Sequence, residues 1–212
     1  MAQLKEFWNW FHEYHEAFYY LKEFTIEEQA FYLNELDDRL RDYHPDLTYV
    51  IVFPKKNKKA KLILTANGRK DAMFFVIQLE SIAPKIPKWT VIKFLQPKLD
   101  IKAIRKGKDS PYGFEEFPIK PSDLRWIPMQ REDDRGPYDL IFHLTSFPQI
   151  NPPMDEDKLL IYIHYILLDL LGELAVSKAI GDGFYMETLE PDNEWFPLEF
   201  LPVYLQEEGF DV

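Results

Sequence analysis

"LTYVIVFPKKNKKAKLILT", residues 47–65, decides how the rest of the chain is read. Two compact, β-branched runs, LTYVIVF (47–53) and AKLILT (60–65), flank PKKNKK, and this pattern predicts an antiparallel hairpin with a charged tip. Lysines at such a tip, here Lys55, Lys56, Lys58 and Lys59, protect the edge and keep it soluble. Downstream, ANG leads into a helix expected over about 69–83, with Met73, Val76, Leu79 and Ile82 or Ala83 inward. Pro84 and Pro87 end it, and WTVIKFL (89–95) returns as a strand. The order is β-β-α-β.

Upstream of the hairpin the period changes. Leu4, Phe7, Trp8, Phe11, Tyr14, Phe18 and Leu21 recur at helical spacing, so a first helix is expected to end near Phe24. TIEE (25–28) then reads as a capping box, in which the Thr25 hydroxyl accepts from the Glu28 amide while Glu28 reaches back. Ile26, Leu33, Leu36, Leu40 and Tyr43 give a second helical face, with Glu35 and Arg39 as an i,i+4 pair. Pro45 disfavours helix for the residue before it and stops the pattern. The chain therefore opens with a helical hairpin.

Residues 96–121 are rich in Pro, Gly and Lys, and are expected to be mostly loop with a short strand at IKAI (101–104). The β-β-α-β order then returns. RWIPMQ (125–130) and YDLIFHLT (138–145) flank a turn, a long helix is expected over about 155–171, and a strand near FYMETL (184–189). GDG (181–183) lacks the carboxylate series of a calcium loop and reads as a turn. PLEFLPVYL closes the chain as a short helix or turn. No residue-level identity links the halves, so duplication rests on element order alone. Antiparallel hairpins with segregated helices define an α+β fold. The expectation is one domain, 1–212, with pseudo-halves 1–108 and 109–212, each ferredoxin-like with a strand missing or supplied elsewhere.

Composition narrows the chemistry. A chain of 212 residues without cysteine excludes disulfides, thiol catalysis and Cys-based zinc sites. WNWFHEYHEAF (8–18) holds two histidines, but His15 comes three residues after His12, which breaks the His-Glu-x-x-His frame of a metalloprotease helix. His12, His15 and Glu16 could still converge as a looser trio; the helical stripe instead makes His15 a half-buried packing residue and His12 surface. No Gly-x-Ser-x-Gly elbow and no P-loop is present. His143 reads as a solvent-facing or half-buried strand residue. His164 reads as core, and Asp169 and Glu173 as surface or capping groups. No catalytic residue, metal ligand or cofactor is expected. MAQLKEFWNWFHEYHE has no basic n-region and no pure apolar h-region, and LLIYIHYILL (159–168) is about half a membrane span, so a soluble cytoplasmic protein with no membrane partner is expected.

Charge is unevenly laid out. Residues 55–108 carry a net +12, residues 1–54 a net −7 and residues 109–212 a net −16. Segregation of this kind points to an acidic partner, a nucleic acid or a neighbouring subunit, or to a basic segment packed beside acidic ones. Few aromatics interleave with the lysines, which argues against nucleic acid. The first helix has an apolar arc wider than one core requires. Either another element covers its flank, or Trp10 and Tyr14 face a partner.

FWNWFHEYHEAF, SIAPKIPKWTVIKFLQP, DLRWIPM and YILLDLLGE together resemble a family of uncharacterised bacterial proteins of similar length. That resemblance implies a single unit and brings no catalytic residues with it. More loosely, the chain resembles small acidic α+β regulators that bind and inhibit other proteins. The expected function is therefore a non-enzymatic binding or regulatory protein acting through protein–protein contacts or self-association. The residues expected to carry it are Trp10, Tyr14, Lys55, Lys56, Lys58, Lys59, Arg105, Lys106 and Lys108. The alternatives are an enzyme whose site assembles only in three dimensions, with a His/Glu metal site, and a basic-patch nucleic-acid binder.

Overall fold

A computed structural model describes residues 2–54, 58–113, 118–129, 136–146, 155–188 and 194–212. The class is α+β. The chain divides into two compact units, Met1–Leu95 and Gln96–Val212. The division falls after Leu95, earlier than the 108/109 boundary that element order suggests.

Unit 1 opens with helix α1 (Ala2–Tyr19) and helix α2 (Ile26–Tyr43). The capping box forms: Thr25 Oγ1 accepts from the Glu28 amide at 3.2 Å and Glu28 Oε2 accepts from the Thr25 amide at 3.0 Å. Strands β1 (Thr48–Val52) and β2 (Ala60–Thr65) make the antiparallel hairpin, with Val50 opposite Ile63. Helix α3 (Lys70–Ser81) crosses over to β3 (Trp89–Lys93), which pairs parallel with β2. The sheet order is β1-β2-β3.

The period of two along β2 decides which face meets the helices. Ala60, Leu62 and Leu64 are buried while Lys61 is exposed. They share one core with Leu4, Phe7, Trp8, Phe11 and Phe18 of α1, Leu36 and Leu40 of α2, and Ala72, Met73, Val76 and Leu79 of α3. Trp8 Nε1 donates to the Leu79 carbonyl at 2.9 Å, so the indole is buried without leaving its N–H unsatisfied.

Unit 2 begins with a short helix, α4 (Ile101–Arg105), where the β-branched run IKAI suggests a strand. Asp100 overrides that preference: its carboxylate accepts from the Lys102 and Ala103 amides and starts the turn. A small ribbon of β4 (Tyr112–Gly113) and β5 (Pro118–Ile119) comes next. Then β6 (Leu124–Pro128) and β7 (Tyr138–Leu144) pair antiparallel.

Helix α5 (Glu156–Leu171) breaks at Gly172, whose φ of +82° suits a residue without a Cβ, and α6 (Glu173–Ala179) continues beyond it. Strand β8 (Ile180–Tyr185) pairs parallel with β7. It starts earlier than FYMETL implies, and GDG lies inside it rather than forming a turn. Strand β9 (Phe196–Pro197) joins β6 on the side away from β7, and helix α7 (Leu201–Glu207) closes the unit. The order is β8-β7-β6-β9.

Both units thus contain the same sheet, in which the hairpin's second strand lies antiparallel to the first and parallel to the strand after the helix. In unit 2 a fourth strand is supplied from elsewhere in the unit. Among the described residues, no single helix is long and apolar enough to cross a membrane.

Candidate functional site

The most distinctive surface of unit 1 lies along the α1–α2 hairpin. Its base is Trp10, half-buried, with the Arg39 guanidinium stacked 4.5 Å above the ring. Rings then succeed one another across the hairpin: Trp10 to Tyr14 at 5.7 Å, Tyr14 to Tyr32 at 6.3 Å, and Tyr32 to Phe31 at 5.4 Å. Trp10, Tyr14 and Tyr32 are half-buried, and Phe31 at the end of the strip is 60% exposed. Glu28, Glu35 and Asp38 belong to the same helix, and Glu35 lies 3.6 Å from Arg39. The flank of the wide apolar arc is therefore covered in part by α2, through Arg39 and Tyr32. Sequence reasoning points to Trp10 and Tyr14 but misses Tyr32 and Phe31, because the strip joins residues of two helices.

Cations repeatedly meet aromatic faces here. Besides Arg39 on Trp10, the Lys22 ammonium lies 4.5 Å from the Phe53 ring centre, and Lys88 lies 5.1 and 5.2 Å from those of Tyr19 and Tyr20. The Lys88 ammonium donates to the Tyr20 hydroxyl oxygen at 3.3 Å, and this bond, with the Glu16 carboxylate, raises the lysine pKa. Among the described residues, no cation stacks on Tyr14, Tyr32 or Phe31.

The lysine-rich residues behave differently. Lys58 and Lys59 are exposed at the hairpin tip; Lys55 and Lys56 lie outside the described residues. Arg105, Lys106 and Lys108 are exposed at the end of α4 in unit 2, with Arg105 5.9 Å from the Phe200 ring centre. Within unit 1 the basic stretch meets acids: Lys88 reaches Glu16 at 3.5 Å, Arg69 reaches Asp46 at 2.5 Å and Lys93 reaches Glu80 at 3.3 Å. Unit 1 holds 14 Lys and Arg against 13 Asp and Glu, and unit 2 holds 11 against 23. The charge segregation along the chain is thus largely offset inside unit 1, while unit 2 stays strongly acidic.

His12 is exposed and His15 half-buried, with His15 Nδ1 2.7 Å from the His12 carbonyl. Trp89 Nε1 donates to the His15 carbonyl at 3.0 Å. Among the described residues, no group of three or more His, Asp or Glu side chains is placed to hold a metal ion.

Unit 2 contains a cavity of about 430 Å³ between residues 98–112 and Asp169. Asp169, expected at the surface, is half-buried. Its carboxylate accepts from the Tyr112 hydroxyl at 2.5 Å and pairs with Lys98 at 2.9 Å. Its carbonyl accepts from the Lys98 and Leu99 amides. Burial first, and then the Asp169 carboxylate, push the Tyr112 pKa well up, so this phenol stays a donor. These bonds pin the segment before α4 to the end of α5. Asp109 also lines the cavity and is buried; it accepts from the Ser122 amide at 2.9 Å.

Two other expectations change. Glu173, expected as a surface or capping group, is fully buried at the start of α6, which bends by 114° from α5 at Gly172, and among the described residues no side chain caps α6. His143 is buried rather than solvent-facing or half-buried: the Trp195 ring lies 5.8 Å from its own, and its Nδ1 lies 2.9 Å from the Met186 carbonyl.

No family model matches the chain, and no curated protein or solved structure matches it either.

Proposed function

We propose that this is a binding protein without catalytic activity of its own, and that the aromatic strip of α1 and α2 receives a basic, partly apolar segment of a partner protein. The observation that carries the reading is the continuation of the strip beyond the cation on Trp10, through half-buried Tyr14 and Tyr32 to exposed Phe31, with no cation stacked on these three rings among the described residues. Arg39 is an example of how a guanidinium is accommodated on such rings, and cation–π contacts are worth about 0.5–1 kcal/mol at exposed sites. Unit 1 as a whole is close to neutral, but α2, which carries Tyr32 and Phe31, holds six acidic residues against two arginines, a local excess that favours a cationic segment at this helix. Rigid aromatic groups at the centre of such a patch are suited to anchor a partner.

The test uses defined probes. A short peptide alternating Arg or Lys with Leu is titrated into the protein beside a version carrying Glu in place of each cation. The basic peptide should bind and the acidic one should not. A Phe31→Ala, Tyr32→Ala double variant, which leaves the charge unchanged, should weaken binding about tenfold, or about 1.4 kcal/mol. Equal binding by the variant would show that bulk acidity, not the strip, attracts the peptide, and would overturn the reading.

A further inference from the structure

The two related sheets differ at one edge. In unit 2, β9 lies antiparallel on β6, with Trp126 opposite Phe196 and Arg125 opposite Pro197. The strand of unit 1 in the same position is β1, which among the described residues has β2 as its one strand neighbour. Among those residues, too, no hydrogen bond from outside the sheet reaches the β1 backbone. Open edges are normally blunted by charge, proline or a bulge. Thr48–Val52 has no charge or proline, and its register with β2 is unbroken over its five residues. Val50 and Val52 remain 40% and 42% exposed.

We propose that β1 pairs antiparallel with β1 of a second copy of this chain about a two-fold axis, filling the position that β9 fills in unit 2. The result is a continuous six-stranded sheet.

Three features select a second copy as the occupant. The TYVIV segment is uncharged, so pairing it with itself sets no like charges opposite each other. A two-fold axis normal to the sheet matches equal faces: centred on Val50, it sets Val50 against its counterpart and Thr48 against Val52, so exposed Val50 is covered by its copy and exposed Val52 by Thr48. Charge also matches at the ends. Exposed Asp42 precedes β1 and exposed Lys58 and Lys59 come after it, and antiparallel pairing brings the basic end of one copy to the acidic end of the other.

The absence of cysteine makes the test clean, because one introduced thiol reports one position. Under mild oxidation Val50→Cys should form disulfide-linked dimer about tenfold faster or more than Phe31→Cys, an exposed control on α2, since directly opposed Cβ atoms lie within bridging range. The unaltered chain should sediment as a dimer that dissociates on dilution through about the micromolar range, and Val50→Lys should weaken association about tenfold or more by setting two ammonium groups across the axis. Should Val50→Lys not fold, the thiol comparison still decides. A monomer at every concentration up to about 100 μM, well above the affinity a specific dimer provides, would overturn the proposal. So would cross-linking of Val50→Cys no faster than that of Phe31→Cys. Neither outcome bears on the aromatic strip, which lies on α1 and α2.

Discussion

Unit 1 and unit 2 build the same three strands around a crossover helix and finish them differently. Unit 1 covers its sheet with an aromatic helical hairpin and, among the described residues, leaves the outer side of its first hairpin strand open. Unit 2 covers the middle of that edge with the two-residue β9, beside which Trp126 of β6 is fully buried, donates from Nε1 to the Pro197 carbonyl at 3.1 Å and lies 5.1 Å from the Tyr204 ring. One topology can therefore end in a partly paired edge or an available one, and a later strand such as β9 makes the difference.

The largest effects should come from the aromatic residues that anchor each unit. Phe11→Ala and Trp126→Ala should each cost about 3–5 kcal/mol in urea melts, as for other buried aromatics truncated in a core. Amide exchange should show the first change loosening β1–β3 and the second loosening β6–β9. Trp10→Ala should cost less, about 2 kcal/mol, because Trp10 is half-buried and loses the Arg39 stack as well as packing. A loss near zero would mean that α2 does not support this ring.

Tyr49, on the open strand, adds a pH dependence to the contrast. Burial, with help from the Asp37 carboxylate, pushes its pKa up to about 12, against an ordinary value of 10. Below about pH 10 both folded and unfolded chains keep the proton; above it the unfolded chain loses the proton first, so stability falls between about pH 10 and 12. Tyr49→Phe should flatten that decline. It should also cost about 1 kcal/mol at neutral pH, through the lost hydrogen bond to the Leu33 carbonyl at 2.8 Å. Gly183→Ala should have the smallest effect, within about 0.5 kcal/mol of neutral. A Cβ there meets Leu160 and Phe142 at 3.6 Å, an ordinary contact, and the loss of chain entropy in the unfolded state favours the alanine.

Sequence is most informative where local signals agree with packing. The capping box at Thr25, the run AKLILT and the helix expected over about 69–83, observed over Lys70–Ser81, can be read from period and local signals, because their burial pattern is set within each element. Locally ambiguous segments are harder. IKAI begins and ends with β-branched isoleucines yet is helical, since Asp100 caps it, and GDG enters a strand because β7 offers it a partner. The strip from Trp10 to Phe31 and the Asp169–Tyr112–Lys98 cluster join residues far apart in sequence. No spacing rule within one element could reveal them.

Two otherwise matching sheets, one with a paired edge and one with an open edge, should differ most clearly in site-resolved amide hydrogen exchange. At a dilution where the chain is monomeric, the β1 amides that point away from β2 should exchange rapidly, while Arg125 and Trp126 of β6, which lie between β7 and β9, should be protected. Slow exchange of every β1 amide in the monomer, matching β6, would contradict the claim that unit 1 presents an available strand.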